Sequence, residues 1–302
     1  MNNIVERIAK LKKEKDAIIL VHNYQRPEIQ NIADFLGDSL GLAREAAKTN
    51  ARIIVFCGVR FMAETAKILS PEKMVIIPRK DAGCPMADMI TAKDLRRLKK
   101  NYPEAKVVSY VNTNAEVKAE SDICCTSANT IEIVKNISAK RIIFTPDKNL
   151  AAYCQRFIDK EIIPWNGYCY VHERITEKEV RLAKEKFPDA LLLVHPECNP
   201  SVIELADEVL STNGMLNFAK KSDKKRFLIG TEKGLIYRLK RENPGKEFYT
   251  AGTAKICRNM KLTTLNDLCL SLKEERYVIE LPEEIIKSAG KTLKAMLENI
   301  HR

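Results

Sequence analysis

Three largely apolar runs divide the chain at similar intervals: AIILV (17–21), KVVSYV (106–111) and ALLLV (190–194). Apolar runs of this kind are typical of strands covered on both faces, as in a parallel sheet. A charged amphipathic helix and a short acidic turn precede each run. The pattern therefore predicts three similar units, whose opening helices lie at 3–14, 91–101 and 176–187.

The order of elements that follows each of these strands also repeats. A second set of strands is predicted at 52–56, 140–145 and 226–230. Helices are then predicted near 61–69, 148–157 and 233–241. A third set of strands is predicted at 73–78, 160–165 and 246–250. Strands that alternate with helices favour α/β architecture. We therefore predict three similar three-layer α/β/α domains with parallel sheets around a pseudo-threefold axis.

The repeat also predicts where the domains begin and end, at 1–88, 89–173 and 174–261. The remaining segment, 262–302, resembles the opening helix and is predicted to be helical. We expect this segment to pack on the N-terminal region. Its closing amphipathic helix, 283–300, is expected to lie against the first helix of the chain.

Composition narrows the class of protein. Of the 302 residues, 45% are hydrophobic and 30% are charged, which is typical of a globular protein and excludes disorder. No run approaches the roughly 18 apolar residues of a membrane-spanning helix. The N-terminus has no apolar region of the kind found in signal peptides, so a cytoplasmic location is expected.

The formal net charge of +11 suits an anionic partner. The sequence has no dense basic block and no nucleic-acid-binding motif, so small anionic substrates are favoured over nucleic acid. The nine cysteines are an odd number and contain no CxxC pair, which argues against a disulfide framework and against zinc ribbons.

Polar residues occupy matching positions in the three units. His22, Tyr110 and His195 lie at or just past the first strands, and a hydroxyl follows each after 17 positions, at Ser39, Ser127 and Thr212. The third strands run into loops with one cysteine each, at Cys84, Cys169 and Cys257. Ligands bind beyond the carboxyl ends of such strands, so we expect these side chains to share one centre. Two alternatives are stacked units whose cysteines never meet, and hydroxyls that only cap helices.

Three thiolates at one point could hold zinc or an iron–sulfur cluster. A structural zinc site is normally closed by four ligands, often supplied as close pairs. One cysteine per unit instead suits a [4Fe–4S] cluster in which one iron stays open as a Lewis acid. The other cysteines are predicted to be core thiols, except Cys198, which fits no position of the repeat.

Ten sequence motifs, in order along almost the whole chain, resemble the quinolinate synthase (NadA) family. They are HNYQ (22–25), GDSL (37–40), GVRFMAETAKIL (58–69), YVNT (110–113), TSAN (126–129), PDKNLA (146–151), GYCYVH (167–172), HPEC (195–198), STNGM (211–215) and FYTAGTAKICRNMK (248–261). The resemblance implies three α/β domains around a [4Fe–4S] cluster held by Cys84, Cys169 and Cys257.

The resemblance also implies a reaction. Iminoaspartate, supplied by an aspartate-oxidising enzyme, would condense with dihydroxyacetone phosphate to give quinolinate, phosphate and water for NAD biosynthesis. Nucleic-acid and membrane partners are not expected. The implied catalytic residues are Tyr24, Tyr110, His172 and Glu197. The implied substrate-binding residues are His22, Ser39, Tyr110, Val111, Asn112, Ser127, His195, Pro196, Glu197 and Thr212.

Other functions remain open from the sequence. The chain could be a different three-domain iron–sulfur enzyme, similar to hydroxymethylbutenyl diphosphate reductase or to the diphthamide synthase subunits. The reductase must receive electrons, whereas quinolinate synthesis is redox-neutral, so turnover without a reductant separates the two. A regulatory or binding protein that carries a cluster is a third hypothesis, but it would not need proton-transfer groups such as Tyr24 and Glu197.

Overall fold

The computed structural model describes residues 2–298 and contains three four-stranded parallel sheets. Their strands are β1 (Ala17–His22), β2 (Phe35–Gly37), β3 (Ile53–Cys57), β4 (Met74–Ile76), β5 (Lys106–Tyr110), β6 (Ile123–Cys125), β7 (Arg141–Thr145), β8 (Glu161–Pro164), β9 (Leu191–Val194), β10 (Glu208–Val209), β11 (Arg226–Gly230) and β12 (Glu247–Thr250). The sheet orders are β2-β1-β3-β4, β6-β5-β7-β8 and β10-β9-β11-β12. The three orders are equivalent, which confirms the predicted α/β class with three similar domains.

Helices connect successive strands and cover the sheets. They are α1 (Asn2–Glu14), α2 (Pro27–Gln30), α3 (Ser39–Lys48), α4 (Arg60–Leu69), α5 (Ala92–Asn101), α6 (Ala115–Ala119), α7 (Thr130–Asn136), α8 (Lys148–Gln155), α9 (Tyr170–Glu173), α10 (Glu177–Lys186), α11 (Pro200–Ile203), α12 (Thr212–Lys221), α13 (Gly234–Glu242), α14 (Leu265–Glu274) and α15 (Glu283–Glu298). Thr91, Thr176 and Thr264 begin α5, α10 and α14 with capping boxes, so short polar signals fix where these helices start.

The central strands are largely apolar because each sheet carries helices on both faces. In β1, Ile19 and Val21 pack with Leu268 of α14, whereas the intervening Leu20 packs with Leu42 of α3. Successive side chains of a strand point to opposite faces, so two separate cores require an uninterrupted apolar sequence. The other two sheets are also divided between clusters on their two faces.

A repeated aspartate fixes the amino-terminal end of each central strand. Asp34 accepts a 2.8 Å hydrogen bond from the Ile19 N–H, and Asp122 accepts a 2.8 Å bond from the Val107 N–H. In the third domain the equivalent bond runs from the Leu192 N–H to Asp207 at 2.7 Å. Each aspartate directly precedes a short edge strand. The three domains therefore share this side-chain hydrogen bond as well as the order of their strands.

The short edge strands β2, β6 and β10 were not predicted. They contain only two or three residues each, which is too short for a periodic pattern to be distinguished from a turn. Their role is nevertheless definite, because they place the loops with Ser39, Ser127 and Thr212 beside the carboxyl ends of the central strands.

The expected packing of the closing helix was wrong. The helix that packs on α1 is α14, through Leu265, Leu268 and Leu272. The closing helix α15 packs mainly on α4, α6 and β6, and Leu293 and Met296 join the core shared by the first two domains. Its apolar face therefore joins two domains. Positions 299 and 300 of the predicted helix, and the end of the predicted 262–302 segment, lie outside the described residues.

Candidate active site

The carboxyl ends of the three sheets open onto one cavity that contains about 750 Å³ of space. His22 ends β1, Tyr110 ends β5, and His195 directly follows β9. All three side chains are buried and line the cavity. The position agrees with the general placement of ligand sites in parallel sheets.

The three cysteines of the repeat also line this cavity, so the alternative of stacked units with separated cysteines was wrong. Cys84, Cys169 and Cys257 follow β4, β8 and β12, and all are free thiols. A short helical turn follows each cysteine, and backbone N–H groups hydrogen-bond to the sulfurs. The donors are Met86 and Ala87 for Cys84, His172 for Cys169, and Asn259 and Met260 for Cys257.

Burial controls the charge of these thiols. It raises the pKa of Cys84 to about 12, and it also raises the pKa values of Cys169 and Cys257. Neighbouring cysteines and the Glu197 charge raise the pKa values of Cys84 and Cys169 further. Three thiolates could therefore share the cavity only with a positive centre between them, since a bound metal deprotonates a coordinating thiol. The donor set, with N–H groups on each sulfur, fits an iron–sulfur cluster.

A chain of polar contacts runs along the cavity and joins all three domains. The Tyr24 hydroxyl lies 2.5 Å from Thr231 Oγ1, which lies 2.7 Å from His172 Nε2. His172 Nδ1 is 2.7 Å from one Glu197 carboxylate oxygen, although its geometry is not that of a regular hydrogen bond. Tyr110 donates to the other oxygen at 2.6 Å. Hydrogen bonds thus join Tyr24, Thr231 and His172 in one part of the chain and Tyr110 and Glu197 in the other, and the two parts meet at the short His172–Glu197 contact.

The charges along this chain follow from its surroundings. Burial opposes ionisation of Glu197, but its pKa stays below the usual range because His172 lies beside the carboxylate and Tyr110 donates to it. Burial, together with the Glu197 charge, raises the pKa values of Tyr24 and Tyr110. Both tyrosines therefore keep their protons, while the carboxylate is available as an acceptor.

Two further histidines are held neutral by burial. The pKa of His22 is lowered to about 3 by burial and by the nearby Lys261. Burial also lowers the pKa of His195 to about 3, and its ring stacks on His172 at 4.6 Å between centroids. A neutral imidazole offers one donor and one acceptor, so these rings can bind polar groups without adding charge.

The three hydroxyls line the cavity at the starts of helices, but they do not cap them. Ser39 and Thr212 are the first residues of α3 and α12, and Ser127 precedes α7. Other residues occupy the cap positions, namely Asp38, Asn129 and Ser211. The alternative in which the hydroxyls serve only as caps was therefore wrong. The three residues line the cavity near the N-terminal ends of α3, α7 and α12, an arrangement that suits anions.

The comparisons with known proteins agree with this geometry. The profile of the family described as quinolinate synthetase A protein matches residues 6–298. A quinolinate synthase of Thermodesulfovibrio yellowstonii is 55% identical over 298 residues, 98% of each chain. That of Geobacter sp. (strain M21) is 55% identical over 290 residues, 96% of this chain and 95% of the relative. That of Alkaliphilus metalliredigens is 52% identical over 297 residues, 98% of each chain.

The chain belongs to the quinolinate synthetase A family.

Most residues that the resemblance to this family indicated meet at the cavity. They are His22, Tyr24, Ser39, Cys84, Tyr110, Asn112, Ser127, Cys169, His172, His195, Glu197, Thr212 and Cys257. Val111 and Pro196 are buried beside the cavity but do not line it. Within residues 2–298, Asn112 Oδ1 is one of the few buried polar atoms that accept no hydrogen bond. An unpaired buried oxygen at a cavity wall is costly unless a ligand pairs with it.

Sequence reasoning missed one polar residue of the buried chain beside the cavity in particular. Thr231 is buried directly after β11 and bridges Tyr24 and His172. The equivalent positions in the other two domains are Gly58 and Pro146, so comparison of the repeats gave no signal there. Its position after a strand at the active edge of the sheet was the available clue. The cavity also includes apolar and mixed side chains that were not predicted, among them Val59, Phe61, Met62, Tyr170 and Met260.

The remaining cysteines lie away from the cavity lining. Cys198 is buried in the core of the third domain, and its thiol donates to the Gly230 carbonyl at 3.4 Å. Cys57, Cys124, Cys125, Cys154 and Cys269 are also buried in core clusters. In the described part of this family member, no helix has the length and apolar character needed to span a membrane.

Proposed function

We propose that the chain is a quinolinate synthase of the transferase class. It condenses iminoaspartate with dihydroxyacetone phosphate and releases phosphate and two waters to form quinolinate, the pyridine precursor in NAD biosynthesis. The support is the family membership together with one observation: three free cysteines, one from each domain, line the same cavity as a buried proton-transfer chain. We also propose that the reaction takes place in the cytoplasm.

The proposed cofactor is a [4Fe–4S] cluster held by Cys84, Cys169 and Cys257. Its support is the donor set, which offers three thiols and leaves a fourth iron without a protein cysteine. When bound, the cluster would supply an open, Lewis-acidic iron beside the substrate. Cys169, His172 and Glu197 also place one ligand atom each within 4.8 Å of one another, so metal-ligating atoms and proton-transfer groups share one wall.

Substrate binding falls to the neutral and hydroxylic groups. Carboxylates need several converging donors, and Ser39, Ser127 and Thr212 supply hydroxyls from three directions. His22 and His195 supply imidazole donors that stay uncharged. The amide of Asn112 has a free acceptor oxygen for a donor on the bound molecule. The net charge of +11 favours the approach of both anionic substrates.

Proton transfer falls to the buried chain. Ring closure requires removal of protons from carbon after the substrates have joined, and Glu197 is the ionised carboxylate at the cavity wall. Tyr110 and Tyr24 are protonated donors that can serve oxygen atoms as they leave. Thr231 links Tyr24 to His172, so a proton taken up at one end of the chain can be released at the other.

The test is turnover and cluster content measured together. Protein purified without oxygen should contain about four irons and four sulfides per chain. It should form quinolinate from iminoaspartate and dihydroxyacetone phosphate without any reductant. Quinolinate should also change the Mössbauer signal of one iron by direct coordination. Dependence of turnover on an electron donor would contradict the proposal, and an unchanged Mössbauer signal would show that the cluster is only structural.

A further inference from the structure

The three cysteine loops are attached to their sheets by the same backbone bond. In each domain, the residue two positions before the cysteine accepts a hydrogen bond at its backbone carbonyl. The donor is a backbone N–H just beyond the neighbouring strand. The pairs are Arg60 N to Ala82 O at 2.8 Å, Lys148 N to Gly167 O at 2.8 Å, and Lys233 N to Lys255 O at 2.9 Å. This shared bond shows that the residues directly before the three N–H donors are structurally equivalent. They are Val59, Asp147 and Glu232.

At two of these equivalent positions the residue is a completely buried carboxylate. Asp147 Oδ2 accepts a 3.2 Å hydrogen bond from the backbone N–H of Cys169. Glu232 Oε1 accepts a 3.1 Å bond from the backbone N–H of Cys257. In each case the acid binds the cysteine of its own domain, although the two acids differ in side-chain length.

The second oxygen of each acid fixes it to a rigid element. Asp147 Oδ1 caps α8 by accepting from the Leu150 N–H at 2.7 Å. Glu232 Oε2 accepts from the Gly234 N–H at 2.6 Å, where α13 begins. Lys261 lies 3.0 Å from Glu232 and ties it to the turn after Cys257. Capping alone would use one oxygen, so the bond to the cysteine is an additional contact.

We propose that Asp147 and Glu232 are positioning residues that clamp the backbones of Cys169 and Cys257 and so prepare two of the three cysteines for the cluster. The proposal rests on the proposed cofactor. The first domain differs, because the side chain of the equivalent Val59 has no acceptor, and within residues 2–298 no carboxylate accepts from the Cys84 N–H. The cluster would therefore be held by two ligands with a side-chain clamp and by Cys84, whose loop is fixed by backbone hydrogen bonds such as that from the Asp88 N–H to the Cys84 carbonyl at 3.2 Å.

The test uses Asp147→Asn and Glu232→Gln, because an amide has one acceptor oxygen and cannot accept from both N–H groups. Asp122→Asn and Asp207→Asn are matched controls. These aspartates also accept from a backbone N–H of the same two domains, but at the opposite end of the sheet.

Two measurements are made on the full chain. Alkylation by iodoacetamide, resolved by mass spectrometry, is followed in metal-free protein. Cys169 should react about tenfold faster in Asp147→Asn, and Cys257 about tenfold faster in Glu232→Gln, while the other two cavity cysteines keep the wild-type rate. Iron loss to bathophenanthroline from reconstituted protein should be about tenfold faster in both variants and unchanged in both controls.

The outcomes separate the clamp from the cofactor. Equal alkylation rates in variants and controls would overturn the clamp, as would a uniform rise at all three cysteines, which indicates general unfolding. Wild-type protein that takes up no iron and sulfide would overturn the proposed cofactor, while the alkylation data would still decide whether the clamp exists.

Discussion

Tyr110 donates a 2.6 Å hydrogen bond to Glu197, and this buried contact connects the second domain to the third. Tyr110 ends β5 in the sheet of the second domain, and Glu197 lies just beyond β9 in the sheet of the third domain. The hydrogen bond from Tyr110 orients the acceptor oxygen of Glu197 within the cavity. Such preorganisation reduces the rearrangement that catalysis would otherwise require.

The first prediction is that Glu197→Gln lowers quinolinate formation by about 100- to 10,000-fold, because the amide keeps the size of the side chain but removes the base. Iron and sulfide content should stay at the wild-type level. Binding of quinolinate should change much less, since the proposed donors to its carboxylates are other side chains. Rapid-quench analysis should detect an open-chain condensation product, and a near-normal rate of ring formation would contradict the base role.

The second prediction concerns Thr231, which contacts both Tyr24 and His172. Thr231→Val keeps the shape of the side chain and removes the bridging hydroxyl, so kcat should fall by about 10- to 100-fold with little change in KM. Thr231→Ser restores the hydroxyl and should recover most of kcat. If serine and valine have the same effect, Thr231 contributes packing and not proton transfer.

The third prediction separates cavity cysteines from core cysteines. Cys169→Ala, expressed and purified without oxygen, should lose the cluster, whereas Cys269→Ala should keep it because Cys269 packs between α1 and the first sheet. Iron and sulfide analysis and the visible absorption spectrum measure the difference. Full cluster content in Cys169→Ala would remove Cys169 from the ligand set.

The fourth prediction concerns stability and pH. The pKa of His195 is about 3 in the folded protein, because of burial, and about 6.5 in an unfolded chain. Below pH 6.5 the unfolded chain binds a proton that the buried ring does not. The free energy of unfolding is therefore highest above pH 6.5 and decreases as the pH falls towards 3. At pH 5.5 this one histidine should lower the free energy of unfolding by about 1 kcal/mol relative to high pH.

Urea denaturation of wild type and His195→Gln at pH 7.5, 6.5 and 5.5, in the same state of metal loading, checks this value. The variant lacks the titrating ring, so its stability should fall less steeply over this range. Parallel curves for the two proteins would show that His195 is not kept neutral in the folded state.

The sequence was sufficient for the long elements and for residues in threefold register. His22, Tyr110, His195 and the three cysteines were found because the same type of position carried them three times, at the ends of apolar strands. Register also explains why one carboxyl edge could be predicted for all of them. Apolar strands and amphipathic helices give strong periodic signals, and therefore the central topology could be predicted.

Features outside the register could not be predicted in the same way. Thr231 has Gly58 and Pro146 as counterparts, so its role depends on contacts between domains that no local pattern encodes. The destination of α15 was wrong because an amphipathic pattern shows that one face is buried but not which partner covers it. Asp147 and Glu232 differ in length and chemistry from Val59, and their equivalence emerged only from the backbone bonds of the cysteine loops.

The equivalence of Val59, Asp147 and Glu232 has a consequence for how this architecture can change. A trimer of identical subunits would have to carry the same residue at all three places, and a symmetric cavity would result. Within a single polypeptide, each of the three positions can mutate separately. One cysteine loop can then be bound by a carboxylate while another is not. Fusion of the repeats thus permits an asymmetric pocket, which suits the two different substrates of the proposed reaction.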